Sequence, residues 1–482
     1  MHSRRPAVFV ALQRWGAQRT LAIRHELDRS RTRALVLALV VLAVLWGPGS
    51  LAAKVFDPQT FTLDNGLQVV VVTNRRAPIV THMVWYKVGA ADEAPGESGN
   101  AHFLEHLMFK GTRTLGPGEF SKIIARNGGR ENAFTSHDYT AYYQMVARDR
   151  LDIVMKYEAD RMANLVLTDE VVLPERDVVL EERRSRVSND PGAKLAEMVN
   201  ATLYLNHPYR LPVIGWEHEI KALNTETALA FYRRWYAPNN AILIVAGDVT
   251  AEEVRPLAEK YYGVIPAHPV PARVRPQEPP QFAPRRVTLE SARVRQPSVS
   301  ILYLAPSYHS DRVGTDESGG NRAYALQVLD EIMGGGTTSR LYRRLVVEQG
   351  IAAAAGSAYD AHSFDLTTFR FYVSPRPGGD LDAAEAALRA EIVRLLKDGV
   401  SDEEVVAARR RLVAQAVYAR DSLSTAPNVF GRALTTGSTV ADVEAWPERI
   451  QAVSAAEVNA AARAVLRDVQ SVTGVLRPKP TS

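Results

Sequence analysis

Short strand patterns and longer helical patterns alternate along the first part of the chain. Residues 61–72 hold two apolar runs around an Asp-Asn-Gly turn, and residues 79–88 form a further strand pattern. Helical patterns cover residues 149–165 and 225–236. The uninterrupted apolar run AILIVA at residues 241–246 predicts a buried strand that closes this part of the chain.

A proline-rich segment divides the chain into two parts. Residues 268–286 contain six prolines, and because proline removes backbone donors and fixes φ, this segment is predicted to be an extended linker outside any core. The linker would join a domain at residues 54–267 to a second domain at residues 287–476, followed by a tail at residues 477–482. A total of 482 residues is also too long for one ordinary core.

The two predicted domains repeat each other. Three short segments recur in the same order, shifted by 225 to 230 positions: FTLDN at 61–65 and VTLES at 287–291, HLMFKGT at 106–112 and EIMGGGT at 331–337, IKALN at 220–224 and IQAVS at 450–454. A constant order at a nearly constant shift indicates an internal duplication.

Composition limits the chemistry that the chain can perform. The sequence contains no cysteine, which excludes disulfides, thiolate nucleophiles, iron–sulfur clusters and cysteine-ligated zinc. Any bound metal must therefore use nitrogen and oxygen ligands. Hydrophobic residues make up 46% and charged residues 23% of the chain, as is typical of a globular protein.

Positive charge is concentrated at the start of the chain. The sequence pI is about 9.1, but residues 1–53 hold eight arginines against one aspartate and one glutamate, while the whole chain has a net charge of only +4. The remainder is slightly acidic, so a nucleic acid partner is not expected.

The first 53 residues have the pattern of an export signal. The arginine-rich region is followed by an uncharged apolar run at residues 34–46 and then by small residues, whereas a spanning helix needs about 20 apolar residues. We therefore predict a secretory signal cleaved after Ala52 or Ala53 and a periplasmic protein. An uncleaved inner-membrane anchor facing the periplasm is the alternative.

The segment AHFLEHLMFKGT at residues 101–112 carries the strongest chemical signal. On a helix, His102, Glu105 and His106 share one face because they lie three and four positions apart. Two imidazoles at this spacing can hold zinc, and a carboxylate between them can take a proton from an activated water molecule. The alternative is an ordinary pair of histidines on an amphipathic helix.

A third metal ligand is expected in the segment PERDVVLEERRSRV at residues 174–187. Pro174 predicts the start of a helix there. Glu175 and Glu182 are seven positions apart and share a face, whereas Glu181 is rotated away by about 100°. Spacing alone leaves open that these glutamates are solvated and pair with neighbouring arginines.

The combined motif resembles the pitrilysin and insulin-degrading-enzyme family of inverted zinc peptidases. The pattern His-x-x-Glu-His at residues 102–106 is followed, after 75 residues, by Glu182 within Glu-Arg-x-Val-Val-x-x-Glu. The resemblance covers residues 54–476 and is nearest to the two-domain processing peptidases. It implies an α+β fold of two homologous domains, each a mixed or antiparallel sheet with packed helices, joined by the proline-rich linker.

The resemblance also implies roles for particular residues. His102, His106 and Glu182 would ligate zinc, Glu105 would act as general base, and Glu175 would orient the site. The segment at residues 131–135 resembles the edge strand that receives peptide substrates by strand addition, which implies substrate binding by three residues: Asn132, Ala133 and Phe134. An ordinary strand is the alternative for this segment.

The second half departs from the pattern of active members. Those proteins carry an arginine and a tyrosine that hold the substrate backbone, in the pattern Leu-Arg-x-x-x-Gly-Leu-x-Tyr. The matching segment LVVEQGIAA places Val346 and Ala353 there, and neither side chain can donate the required hydrogen bond. Arg340, Tyr342 and Tyr359 lie nearby without matching the register. The resemblance therefore implies a heterodimer in which a homologous subunit supplies the arginine and tyrosine.

Three functions remain open from the sequence. The first is a zinc metallopeptidase that hydrolyses peptides or unfolded polypeptides. The second is a non-catalytic structural subunit with the same fold, because the family that the chain resembles also includes non-catalytic core subunits. The positions shifted by 225 from the zinc motif are Gln327, Asp330 and Glu331, none of which is histidine, so only the first half can bind metal through this motif. The third is a periplasmic metal-binding protein.

Overall fold

The structure is a computed structural model that describes residues 55–313 and 320–479. The predicted signal at residues 1–53 lies outside the described residues, as does the end of the predicted tail. All described residues belong to one compact unit, Val55–Ser482.

The first half of the chain forms a six-stranded mixed sheet of β1 Gln59–Thr62, β2 Gln68–Thr73, β3 Ile79–Tyr86, β4 Arg130–Thr135, β5 Thr140–Ala147 and β6 Ala241–Gly247. The strands lie in the order β1-β2-β6-β3-β5-β4. Strands β1 and β2 form an antiparallel hairpin around Gly66, which has φ +86°, so the predicted hairpin is confirmed. Strand β2 runs parallel to β6, and the other neighbours are antiparallel.

The second half repeats this sheet with five strands, β7 Arg285–Ser291, β8 Ser298–Ala305, β9 Ala352–Tyr359, β10 Thr367–Pro375 and β11 Ser471–Pro478. These strands lie in the order β7-β11-β8-β10-β9. Strand β7 is parallel to β11 as β2 is to β6, and the remaining pairs are antiparallel in both sheets. The predicted α+β class with two homologous sheets is confirmed.

One of the three sequence repeats does not mark equivalent strands. The pairing of FTLDN with VTLES aligns β7 with β1, but in the sheet β7 takes the place of β2, next to the parallel central strand. The second half therefore lacks a counterpart of the β1 edge among its described residues.

Helices cover both sheets and make up most of the remaining structure. In the first half they are α1 Asn100–Leu107, α2 Glu119–Arg126, α3 Leu151–Asn164, α4 Asp169–Arg183, α5 Pro191–Leu203, α6 Glu217–Ile220, α7 Thr225–Trp235 and α8 Ala251–Tyr261. In the second half they are α9 Tyr308–Val313, α10 Arg322–Gly334, α11 Leu381–Asp398, α12 Asp402–Ala419, α13 Thr425–Thr435, α14 Val440–Glu444, α15 Trp446–Ala452 and α16 Ala455–Val465. Within residues 55–313 and 320–479, every helix is too short or too polar to span a bilayer.

The predicted start of α4 at Pro174 is wrong. The helix begins at Asp169 and contains Pro174 in its interior, then continues as a π-helical segment Arg184–Ser188. The proline ring leaves only the carbonyl of Glu170 without its usual donor. Glu170 is exposed near the helix start, where water can satisfy that carbonyl, so the helix tolerates the proline.

Both faces of each sheet are apolar, and the two halves exchange helices to cover them. On β2, Val69 and Val71 face one core, whereas Val70 and Val72 face another. This explains the continuous apolar run in a strand that is buried on both sides. The second face of the first sheet is covered by α13 from the second half of the chain.

The exchange is reciprocal. Helix α5 from the first half packs on the second sheet, where Leu195, Val199 and Leu203 contact Leu302 and Val472. Each half therefore completes its core with a helix that belongs to the other half in sequence.

The proline-rich segment joins the halves tightly. Residues 266–284 contain no helix or strand. The side chain of Arg275 is only 4% exposed, and it pairs with Asp92 and Asp138 of the first half and with Asp365 of the second. The segment therefore also carries an ionic connection between the two halves.

Candidate metal centre

Helix α1, which carries three of the predicted site residues, begins in an unusual way. Its N-cap residue Gly99 has φ +91°, and the Glu93 carboxylate accepts hydrogen bonds from the backbone N–H groups of Gly99 and Ala101 at 3.0 and 2.8 Å. A Cβ atom on Gly99 would lie 2.6 Å from the carbonyl oxygen of Ile214. Glycine therefore allows the start of α1 to lie directly against the segment around Ile214.

Three side chains from two helices converge at the end of this helix. His102 and His106 lie one turn apart on α1, and Glu182 lies near the end of α4. Glu182 Oε2 is 3.6 Å from His102 Nε2 and 3.3 Å from His106 Nε2, and one ligand atom of each residue lies within 4.8 Å of the others. Because zinc bonds of about 2.0–2.1 Å place tetrahedral ligands about 3.3 Å apart, these separations fit a zinc site.

The contacts of the two Glu182 carboxylate oxygens are also those expected of a metal ligand. Its Oε2 atom is buried and accepts no well-formed hydrogen bond from the described residues, while its Oε1 atom pairs with Arg186 at 2.8 Å. An unsatisfied buried oxygen is unfavourable unless a cation or donor meets it. Two imidazole nitrogens and one carboxylate oxygen are a ligand set of catalytic zinc, which keeps a fourth position open.

Glu175 orients one of the two imidazoles. Its Oε1 atom lies 2.9 Å from His106 Nδ1, and its Oε2 atom contacts the amine of Lys110. Burial alone would lower the pKa of His106, but the carboxylates of Glu175 and Glu182 outweigh burial and raise this pKa to about 9. Burial, reinforced by the nearby His106, lowers the pKa of His102 to about 4. Nε2 of each ring faces Glu182 Oε2 and is the nitrogen directed to the candidate metal position.

Glu105 lies on the same helix between the two histidines and is 9% exposed. Thr135 Oγ1 donates a hydrogen bond to Glu105 Oε2 at 2.6 Å, and Oε1 receives none from the described residues. Burial raises the pKa of Glu105, and the bond from Thr135 partly opposes this rise. A carboxylate with a raised pKa and one unpartnered oxygen is suited to proton transfer.

The three residues predicted to bind substrate lie on β4, an edge strand of the first sheet. Asn132 is exposed, Ala133 is buried, and the ring of Phe134 packs edge-on against Trp85 at 5.2 Å. One side of β4 pairs with β5, and no described strand pairs with its other side. The backbone of this second side can therefore accept an added strand.

In the second half, the three residues shifted by 225 positions from the zinc motif form contacts with neighbouring side chains. Gln327 accepts hydrogen bonds from Tyr308 and Trp446, Asp330 accepts one from Ser357, and Glu331 pairs with Arg411. Among the described residues, the only group suited to a metal is the one formed by His102, His106 and Glu182.

The two positions that match the missing arginine and tyrosine lie in the second half, in different surroundings. Val346 packs against the second core, and Ala353 is exposed on β9. Arg340 is paired with Glu404, and the hydroxyl of Tyr359 donates to the Pro306 carbonyl. These two nearby candidates are thus already engaged within the second half.

Sequence reasoning missed three polar partners of the site residues. Arg186 follows Glu182 by four positions, so helical spacing could have indicated this pair. Lys110 lies beyond the end of α1 and contacts Glu175 on α4, which no local spacing indicates. Thr135 lies 30 positions from Glu105. Only the three-dimensional packing of β4 against α1 brings them together.

Comparison with known families divides the chain into two matched regions. A family profile described as Insulinase (Peptidase family M16) matches residues 68–216, and one described as Peptidase M16 inactive domain matches residues 222–412. The first region contains all the predicted metal ligands. The second contains the positions where no metal ligand set is found among the described residues.

Known proteins and solved structures resemble this chain over most of its length. Zinc protease PqqE of Helicobacter pylori is 31% identical over 455 residues, covering 92% of this chain and 98% of that protein. The crystal structure of a protease from Helicobacter pylori aligns with a TM-score of 0.80 and 30% identity over 88% of this chain and all of that chain. The periplasmic protease PqqL from Escherichia coli shares the fold, with a TM-score of 0.74 and 21% identity, over 87% of this chain but 47% of that chain.

Proposed function

This chain belongs to the insulinase family, peptidase family M16, and on that premise we propose that it is a zinc endopeptidase that hydrolyses peptides or unfolded polypeptides. We propose further that it acts as the metal-bearing subunit of a heterodimer. The proposal rests above all on the convergence of His102, His106 and Glu182 at separations that fit zinc, with Glu105 beside them.

The side chains of the site have distinct tasks in this proposal. His102, His106 and Glu182 would hold the zinc ion, which supplies a Lewis acid for the activation of water and of the scissile carbonyl. Glu105 accepts the proton of the attacking water on Oε1 and then delivers it to the leaving nitrogen. The open edge of β4 binds the peptide backbone as an added strand beside the site.

The proposed partner supplies what this chain lacks. Val346 and Ala353 occupy the positions at which active members, by resemblance, carry the arginine and tyrosine that hold the substrate. The PqqL chain of Escherichia coli is about twice as long as the part that this chain matches, which leaves room for a second unit of similar size. A homologous subunit beside this chain would provide the same arrangement from two polypeptides.

We also propose that the protein is exported to the periplasm, with cleavage after Ala52 or Ala53. The basic and apolar pattern of the first 53 residues supports this location. Amino-terminal sequencing of the protein from a periplasmic fraction should give Ala53 or Lys54 as its first residue. A chain that starts at Met1 and sediments with membranes would instead favour the anchored form.

The decisive experiment uses the complex isolated from the host. The tagged chain is purified with its bound subunit and assayed on short peptides and on an unfolded polypeptide, with and without a chelator. We expect hydrolysis that is lost on chelation and restored by zinc. Glu105→Gln should retain stoichiometric zinc but lower kcat by about 10²- to 10⁴-fold. Glu181→Gln, at an exposed position on α4 next to Glu182, is the control for loss of a carboxylate charge.

Each other outcome has a definite meaning. Wild-type turnover by Glu105→Gln would contradict the assigned base. Stoichiometric zinc without hydrolysis, even in the complex, would favour the non-catalytic role suggested by the match to the inactive-domain profile. Equal activity of the isolated chain and the complex would contradict the heterodimer.

A further inference from the structure

We propose that Thr135 is a positioning residue that aligns the Glu105 carboxylate for proton transfer. This inference rests on the proposed peptidase function and adds a residue to which no role has been given. It follows from the contact of the Thr135 hydroxyl with Glu105 and from a comparison of the two halves.

The position of Thr135 on β4 directs its side chain to α1, the helix that carries Glu105. Alternate residues of a strand face opposite sides of the sheet. Ala133 belongs to the core that contains α1, whereas Phe134 packs against the core on the other side of the sheet. Thr135 shares the face of Ala133, and its Oγ1 atom lies 2.6 Å from Glu105 Oε2. Because a β-branched side chain has few accessible rotamers, this hydroxyl is held in place.

The second half contains the same link without a metal site. Asp330 stands at the position shifted by 225 from Glu105, and Ser357 on β9 donates a hydrogen bond to its Oδ1 atom at 2.6 Å. The backbone N–H of Tyr359 donates to Asp330 Oδ2 at 3.2 Å. Both carboxylate oxygens of Asp330 are therefore occupied.

The two halves differ in how many carboxylate oxygens accept a hydrogen bond. One oxygen of Glu105 is held by Thr135, and the other receives no hydrogen bond from the described residues. A carboxylate held through one oxygen cannot rotate freely, so its other oxygen, Oε1, remains available to the attacking water. Thr135 is also part of the edge strand proposed to bind the peptide, so the strand that holds the substrate also holds the base.

The test compares four variants in the isolated complex. Thr135→Val removes the hydroxyl with little change in shape, Thr135→Ala removes it with less side chain, and Thr135→Ser retains it. Ser357→Ala removes the equivalent link in the second half and is the matched control. For each protein, kcat, KM, bound zinc and the melting temperature are measured.

We expect Thr135→Val and Thr135→Ala to lower kcat by about 10- to 100-fold with KM and bound zinc little changed. Thr135→Ser should restore most of kcat. Ser357→Ala should retain wild-type kcat even if its melting temperature falls. This pattern separates alignment of the base from a general loss of structure.

The inference and the proposed function fail in different ways. An active wild-type complex in which Thr135→Val retains normal kcat would overturn the inference alone. Failure of Thr135→Ser to restore kcat, or equal losses of kcat in Thr135→Ala and Ser357→Ala, would also overturn it. A wild-type complex with no peptidase activity would overturn the proposed function and the inference together.

Discussion

At the scale of single residues, most groups of the candidate centre are held by a polar partner that does not itself face the metal position. Glu175 holds His106, Arg186 holds Glu182, and Thr135 holds Glu105. His102 is the exception, because its Nδ1 atom is buried without a partner among the described residues. The orientation of His102 therefore depends on packing within α1.

Asp330 in the second half predicts a measurable pH dependence of stability. Burial raises its pKa to about 6, against about 3.9 in an unfolded chain. Between these values the folded state binds more protons than the unfolded state, so the free energy of unfolding falls as pH rises from about 4 to about 6. The expected contribution is on the order of 1–3 kcal/mol.

The variant Asp330→Asn removes this titration and should flatten the stability profile over that pH range. Urea unfolding of the wild type and the variant at several pH values measures the difference. An unchanged slope between about pH 4 and 6 would show that Asp330 does not titrate in this window.

The sequence predicted the site residues that lie close together along the chain, but not the contacts that join residues from different helices and strands. His102, Glu105 and His106 lie within five consecutive positions, so helical geometry alone places them on one face. Glu182 was separated from Glu181 by helical phase, but its convergence with the histidines depends on how α4 packs against α1. The contact of Thr135 with Glu105 depends on the register of a strand against a helix, which no short-range pattern encodes.

At the scale of secondary structure, strands were more predictable than the partners of helices. The apolar run of β6 indicated a strand buried on both sides, and the structure bears this out. The interior Pro174 misled the prediction of α4, because proline near a helix start resembles proline at a helix start. Nothing in the local pattern of α5 or α13 indicated that each helix covers the sheet of the other half.

The contact of α13 with the first sheet predicts an unusual response to a helix-favouring substitution. Gly431 on α13 lies against the Trp85 indole, and a Cβ atom there would be 2.0 Å from a ring atom. Although alanine favours helices over glycine, Gly431→Ala should destabilise the protein by about 1–3 kcal/mol through overpacking. Chemical denaturation monitored by tryptophan fluorescence measures this effect.

Helix α5 offers the control for this substitution. Gly192 lies in its first turn, and a Cβ atom there would meet only one oxygen of the Asp190 carboxylate that caps the helix, at 3.1 Å. Gly192→Ala should therefore change stability little. Equal effects of the two substitutions would contradict the packing argument for Gly431.

At the scale of the whole molecule, Arg275 connects the two halves through a buried ion cluster. Burial alone would raise the pKa of Asp138, but Arg275 outweighs burial and holds this pKa below its usual value. Removing the guanidinium in Arg275→Met leaves Asp138 buried without a paired cation, with hydrogen bonds from Tyr209 and Phe364 only, and leaves Asp92 with Arg273 at 3.8 Å as its remaining cation. We expect a loss of about 3–5 kcal/mol of stability.

Denaturant unfolding with probes in both halves measures this loss. Lys221→Met, which removes an exposed pair with Glu217, should change stability by less than about 1 kcal/mol and serves as the control. A single shared transition is expected for the wild type, because the halves complete each other's cores. A loss for Arg275→Met no larger than that for Lys221→Met would contradict a structural role of the ion cluster.

The cover that α13 provides for the first sheet also sets an order of events during synthesis. Trp85 leaves the ribosome long before Phe430, and at usual translation rates the delay is on the order of tens of seconds. Until α13 has been made, the apolar face of the first sheet that contains Val70 and Trp85 lacks the helix that covers it in the folded protein. Both halves therefore reach their final state only after translation is nearly complete. A chain that stops before residue 425 would lack α13, so one face of its first sheet would be uncovered and the metal-bearing domain would not be intact.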